Sequence, residues 1–230
     1  MIGRLRNLGI VLAVFGLVFV AAGGYAFMKA TEGANSLQAF SAVQNVKLNY
    51  NDEGQLVDRG ETAGAEAIMS LLKNDWGYPV VAADLNPNDP LVNTATEYMY
   101  QMATMTYHTI NGVQKVVLAE DVTAADGTVY PAGEYEFAVD GRYWSAFNRA
   151  NPIEAAAREK AWTGTAHALI ANLGVGTVTA SALQLGFGLA GLFAGVGLFA
   201  LISGFGLVWA TRAQVEVAPK RALQPTAMPA

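Results

Sequence analysis

Two long runs without a charged residue dominate this sequence of 230 residues. The first covers the 22 residues 7–28, and the second covers the 51 residues 161–211. At a rise of 1.5 Å per residue, about 21 helical residues span roughly 32 Å, which matches a hydrocarbon core about 30 Å thick. We therefore predict transmembrane helices over 8–28 and 185–210, where Ile, Val, Leu, Phe and Ala dominate.

The first half of the second run is more polar than the second half. It contains several Thr residues, Asn172 and Gln184, so we predict that 166–184 forms an uncharged amphipathic helix that approaches the membrane, with a break at Gly174 and Gly176. A three-span alternative, in which 164–183 also enters the bilayer, stays open. The apolar start of the chain also resembles a signal peptide, but about 20 apolar residues exceed the 7–15 of a usual cleaved signal, which favours an uncleaved signal anchor.

The charges that flank the two spans predict their orientation. The short tails 1–7 and 211–230 hold five Lys or Arg residues against one acidic residue, Glu216. Positive charge in short flanking segments stays on the cytoplasmic side. The region 29–160 holds 9 Lys+Arg and 18 Asp+Glu, a net charge of −9. We therefore predict a multi-pass plasma-membrane protein with both termini in the cytoplasm, a disordered tail over 211–230 and an extracytoplasmic domain over 29–165.

Composition excludes several kinds of chemistry. The chain has no Cys, which rules out disulfides, thiol nucleophiles and sites built from cysteine ligands. Only 14% of the residues are charged, little more than half of the roughly 25% that is usual in soluble proteins. The formal net charge of −5 argues against a general nucleic-acid binder.

Local patterns predict that the outer domain mixes helices and strands. Turn residues and apolar spacing indicate a hairpin over 45–58 and helices over 61–73, 91–109 and 151–171. Alternation predicts strands between 113 and 139. Asn151 and Pro152 form a good helix start, because Asn caps and Pro suits the first helical position. The predicted fold is an α+β extracytoplasmic domain anchored by an N-terminal and a C-terminal transmembrane helix.

One group of residues suggests a metal site. Met99, Met102, Met105 and His108 offer thioether and imidazole ligands, which suit copper. A spacing of three residues drifts by about 60° per step around a helix, so four such side chains cover half of its circumference. Core packing is therefore the favoured interpretation, with copper binding as the alternative.

Other polar patterns have simpler explanations. Asp84, Asn86 and Asn88 match the start of a calcium loop, but Asp89 stands where that loop needs Gly, so a capped turn is favoured. Glu134 and Glu136 share the outer face of a strand. His108 and Ser145 have no spacing that supports a catalytic triad. We predict no catalytic residues and no cofactor.

Glycine in the second span predicts close helix packing. Gly188, Gly191 and Gly195 lie broadly on one side, and small residues let membrane helices approach closely. We expect this face to contact the first span, a copy of the same helix or another subunit.

Two stretches carry a resemblance to a known group. WGYP, from Trp76 to Pro79, and DLNPNDPLVNTATEYMYQ, from Asp84 to Gln101, lie between two terminal spans. In this the chain resembles a group of uncharacterised actinobacterial membrane proteins, some of which are labelled aromatic ring-opening dioxygenases. The resemblance implies no established activity. Such an enzyme would hold iron with two histidines and a carboxylate, and with only His108 and His167 present we discount the label.

These observations favour a non-enzymatic function. We predict a protein-interaction or accessory subunit of a membrane complex, in contact with the lipid bilayer and with another membrane protein or a copy of itself. The first alternative is an extracytoplasmic module that binds or senses a small ligand or copper. The second is a membrane-tethered hydrolase.

Overall fold

The computed structural model describes residues 2–216, with side chains up to residue 212. These residues form two compact units. The first consists of the residues up to Gly33 and those from Leu183 onward, and the second, here called the central unit, is Ala34–Ala182. The remainder of the predicted tail, 217–230, lies outside the described residues.

Two long helices contribute to both units. Helix α1 is Ile2–Gln44 and helix α5 is Gly164–Glu216, and each is long and apolar enough to cross a membrane. Only 11% of the most apolar stretch of each helix is buried. Phe15 and Phe199 are more than half exposed, as side chains that face lipid are. The prediction of one long apolar helix near each end of the chain is therefore confirmed.

In the first unit, α1 and α5 pack along small residues that recur every seven positions. Gly9 lies against Gly204 and Gly16 lies against Gly197, so the two helices run antiparallel. A Cβ on either Gly9 or Gly16 would stand 2.7 Å from the facing carbonyl oxygen, which leaves no room for a side chain. The buried small residues of this contact are Gly9, Gly16, Gly23 and Ala30 on α1, and Ala190, Gly197 and Gly204 on α5.

The central unit adds three shorter helices and two small antiparallel sheets. The helices are α2 (Thr62–Ser70), which continues into a π-helical turn over Leu71–Asp75, α3 (Ala95–Ile110) and α4 (Pro152–Ala161). Strand β1 (Val113–Leu118) pairs with β4 (Gly133–Ala138), and β2 (Val122–Thr123) pairs with β3 (Val129–Tyr130). This mixture of helices and a few strands agrees with the predicted α+β class.

Local capping explains where these helices begin. The Asn151 side chain accepts hydrogen bonds from the backbone N–H groups of Ile153 and Glu154, at 2.9 and 3.2 Å, which confirms the predicted start of α4. Helix α3 begins with a reciprocal cap, in which the Thr94 hydroxyl accepts from the Glu97 N–H and the Glu97 carboxylate accepts from the Thr94 N–H.

The core of the central unit lies where α2, α3 and the sheets meet. Ile68, Leu72, Ala103 and Val139 have no measurable exposure. Phe137 packs against this core from β4, with Tyr135 half-buried on the same face, while Glu134 and Glu136 are exposed on the other face. Tyr98 of α3 belongs both to this core and to the lining of the groove described below.

The helices differ in extent from the predicted ones, and α1 in particular runs from Ile2 to Gln44 and not only over 8–28. Helix α5 is continuous from Gly164 to Glu216, without a break at Gly174 or Gly176 and extending into the predicted disordered tail. The glycines make room for neighbouring side chains, as shown below, and do not interrupt the helix. Helix α4 ends at Ala161, since Trp162 leaves helical geometry with φ −100° and ψ 61°.

Candidate functional site: an apolar groove in the central unit

Three helices of the central unit enclose an apolar groove with a volume of about 510 Å³. Each helix lines it with a stripe of residues spaced three, four or seven positions apart, which places them on one face. Val46 and Val92 complete the lining from the loops. The helical residues are Leu37, Phe40, Ser41 and Gln44 of α1, Tyr98, Gln101 and Met105 of α3, and Leu169, Asn172, Leu173, Val175, Gly176 and Thr179 of α5.

A buried hydrogen bond lies at the base of the groove. The Ser41 hydroxyl and the Tyr98 phenol are 2.7 Å apart, and the two residues are only 2% and 7% exposed. Gly176 lies directly against the Tyr98 ring, and a Cβ there would be 2.6 Å from the nearest ring carbon. Glycine at this position therefore allows Tyr98 to reach Ser41 and gives the groove its depth.

The polar groups of the groove are neutral. None of its lining residues is Asp, Glu, Lys, Arg or His. Within the described part of the chain, the side-chain amides of Gln44, Gln101 and Asn172 have no hydrogen-bond partner. An apolar concavity with a few neutral hydrogen-bonding groups is what small-molecule sites usually present.

A second, more polar concavity lies at the start of α2. It has a volume of about 390 Å³ and contains a pair between His108 and Asp58, whose Nε2 and Oδ1 atoms are 2.9 Å apart. Asp58 precedes a tight turn in which Arg59 and Gly60 have φ values of 51° and 89°. Gly64 lies close beside it, and a Cβ there would be 3.0 Å from Asp58 Cβ and 3.1 Å from Asp58 Oδ2.

Two tyrosines lie behind this pair. The hydroxyls of Tyr50 and Tyr100 are buried without a hydrogen-bond partner among the described residues. Burial raises the pKa of Tyr100, and the negative charges of Asp58 and of an ionised Tyr50 add to the effect. Asp58 can orient and polarise the His108 imidazole. The residues that line the concavity include no Ser, Thr, Cys or Lys to act as a nucleophile.

The four residues of the suggested copper site turn to different surroundings. His108 faces Asp58, while Met105 lines the groove. Met102 lies over Gly174 of α5, with its sulfur 3.7 Å from a Cβ built there, and Met99 packs against the core. The structure does not bring these four side chains together, because their three-residue spacing spreads them around α3.

The second histidine has an aromatic environment. The His167 ring lies 5.0 Å from the Trp144 ring and 5.5 Å from the Trp162 ring. The Arg158 guanidinium stacks on the Trp144 ring, with its central carbon 3.2 Å from the ring centroid. His167 and His108 thus have separate neighbours. Among the described residues, no group of three His, Asp or Glu side chains is placed to hold a metal ion.

The glycines predicted to mediate helix packing do not face α1. A Cβ on Gly188, Gly191 or Gly195 would meet no atom within 4 Å. At about 100° per residue, Gly188 and the contacting Gly197 lie on opposite sides of α5. Contact with α1 is made by the heptad glycines, while this second glycine face remains open among the described residues.

Neither the groove nor the Asp58–His108 pair was predicted from the sequence, for different reasons. The groove had a local signal, since Leu37, Phe40, Ser41 and Gln44 continue a helical stripe beyond the predicted end of the first span. The pair had none, because 50 positions separate its two members.

Comparisons with known proteins give no functional assignment. No family model, no curated protein and no solved structure matches the chain.

Proposed function

We propose that this protein is a membrane-anchored module that binds a small apolar or amphiphilic molecule in the groove. The observation that carries the proposal is a concavity of about 510 Å³ with a mainly apolar, uncharged lining. Ligand sites of small molecules typically occupy about 300–1,000 Å³ and combine apolar walls with a few polar groups. The lining residues of α1 and α5 lie on the same two helices that carry the apolar runs.

The charges at the helix ends support an extracytoplasmic central unit. The antiparallel contact between Gly9 and Gly204 brings Arg4, Arg6 and Arg212 to one end of the helix pair. Positive residues flanking a span favour the cytoplasmic side. Residues 34–182 lie between the two membrane-spanning stretches along the chain, so in this proposal they stand outside the plasma membrane.

Photolabelling tests the proposed binding site. The full chain, reconstituted in lipid nanodiscs, is irradiated with a diazirine analogue of hexadecanol, and labelled peptides are identified by mass spectrometry. We expect labels on groove residues such as Tyr98 and Met105. Thr179→Trp places a large ring in the groove lining and should reduce this labelling, whereas Val178→Trp, at an exposed position beside it, should not. An extent of groove labelling that is unchanged by both substitutions would refute the proposal.

The open glycine face supports a second candidate function, that of an accessory subunit in a membrane complex. Gly188, Gly191 and Gly195 leave room for close approach by a transmembrane helix of another subunit. Affinity purification from native membranes in mild detergent should then recover a stoichiometric partner. That partner should be lost with Gly191→Leu and kept with Leu198→Phe, an exposed apolar control. Recovery that is unchanged by Gly191→Leu would contradict this function.

A further inference from the structure

We propose that the groove selects a neutral amphiphile, namely a single alkyl or acyl chain with an uncharged hydroxyl, ester or amide head. This inference rests on the proposed function, because it names the class of molecule that the same groove accepts. Its basis is the complete absence of charged side chains from the lining. A carboxylate or ammonium head would lose hydration there without gaining a counter-charge, which disfavours charged ligands.

The polar groups of the lining indicate what kind of head is accepted. Ser41 and Tyr98 already bond to each other. The amides of Gln44, Gln101 and Asn172 have no partner among the described residues, and each amide offers an acceptor oxygen and two donor hydrogens. A hydroxyl, ester or amide group can complement them, whereas a plain hydrocarbon cannot.

The exposure of these residues indicates how the ligand is oriented. Gln44 and Asn172 are exposed and Gln101 is half-buried, so the amides lie toward the opening. Val92 and Tyr98 are buried and form the base. The ligand chain is therefore directed inward, and the head lies beside the three amides, which replace part of its hydration shell.

Competition with the photolabel tests the choice of head. Hexadecanol and monopalmitoylglycerol should displace the diazirine probe from the wild-type groove in nanodiscs at neutral pH. Palmitate and hexadecyltrimethylammonium have the same chain length with opposite charges, and each should compete about tenfold more weakly or worse. If palmitate or the ammonium compound competes as well as hexadecanol, the inference of a neutral head is wrong, although groove labelling itself still supports the proposed function.

A charge introduced into the groove gives the decisive comparison. Gln101→Arg supplies the missing counter-charge, so palmitate should gain about tenfold in competition relative to hexadecanol. Gln114→Arg makes the same substitution on β1, away from the groove, and should leave the ranking unchanged. An unchanged ranking in Gln101→Arg would overturn the inference. If no groove residue is labelled in the wild-type protein, the proposed function on which the inference rests is overturned instead.

Discussion

Burial of a carboxylate at the start of α3 makes Glu97 a source of pH dependence. Glu97 is only 1% exposed, and its carboxylate accepts the backbone N–H groups of Asn93 and Thr94 at 3.0 and 2.9 Å. Burial raises its pKa above the ordinary value of 4.5, against the opposing effect of these hydrogen bonds. A raised folded-state pKa stabilises the protein below about pH 4.5, and this contribution is lost as the pH rises through the folded-state pKa.

Glu97→Gln should remove this dependence while keeping an acceptor for the two N–H groups. We expect the stability of Glu97→Gln to rise relative to the wild type as the pH increases from acidic to neutral. Urea unfolding of the micelle-solubilised protein, followed by tryptophan fluorescence, measures the difference. Glu97→Ala serves as the control, since it leaves both N–H groups unpaired and should be less stable than Glu97→Gln by about 1–3 kcal/mol across the whole range. A constant difference between wild type and Glu97→Gln would contradict the expectation.

Two glycines of α5 give a matched pair of substitutions. Ala in place of Gly inside a helix normally stabilises by about 0.5–1 kcal/mol. Gly174→Ala should show this gain, because its Cβ would make an ordinary 3.7 Å contact with Met102. Gly176→Ala should instead be less stable than Gly174→Ala by about 1–3 kcal/mol, because its Cβ would collide with the Tyr98 ring and displace it from Ser41. Equal stability of the two variants in the same unfolding assay would show that the Tyr98 ring can move aside without a loss of stability.

Residues whose role is local were predictable from the sequence, and residues whose role depends on distant contacts were not. Asn151 caps α4 as expected, because the groups it bonds lie two and three positions away. Asp58 and His108 meet only when the turn before α2 packs beside α3. From the sequence alone, Gly176 is expected to break the helix. The Tyr98 ring packed against it explains why a glycine occurs inside a continuous helix.

At the scale of elements, the seven-residue repeat of small residues determines how α1 and α5 pack. Apolar composition predicted both helices, and the glycine content of the second span predicted a close helix contact. It pointed to Gly188, Gly191 and Gly195, whereas the contact uses the heptad series on the opposite side of α5. The deciding information is the common period of the two helices, since a seven-residue period keeps one seam in register along a left-handed supercoil.

Engineered cysteines test this seam, which is the line of heptad contacts between α1 and α5. Because the chain has no native Cys, the introduced thiols are the only ones that can react. The rings of Phe19 and Phe193 lie 5.7 Å apart, so a short bismaleimide should link cysteines placed at these two positions. Phe199 is 73% exposed, and the pair Phe19→Cys with Phe199→Cys should not be linked. The shift of the linked species on a denaturing gel measures the yield.

A leucine on the seam should separate the helices. Gly16→Leu, added to the Phe19 and Phe193 cysteine pair, should reduce linking by about tenfold, because a side chain there collides with the Gly197 backbone. Gly191→Leu points into open space and should leave the yield unchanged. Equal yields for the two leucine variants would mean that the seam lies elsewhere.

The antiparallel pairing of α1 and α5 predicts the orientation of the protein in the membrane, whatever the ligand is. Because Gly9 faces Gly204, the start of α1 and the end of α5 share one end of the pair, with Arg4, Arg6 and Arg212. We expect this end to be cytoplasmic and residues 34–182 to be extracytoplasmic. Gly3→Cys and Ala125→Cys each add a single exposed thiol to a chain that has none.

A membrane-impermeant maleimide applied to intact cells should label Ala125→Cys and spare Gly3→Cys, and both should react after the cells are opened. The reverse pattern would place the groove in the cytoplasm and overturn the proposed orientation. Labelling of both thiols in intact cells would mean that the two apolar helices do not form a two-span anchor. The expected pattern would restrict the ligand to molecules available outside the plasma membrane, which is the compartment where the neutral amphiphile proposed for the groove must then be sought.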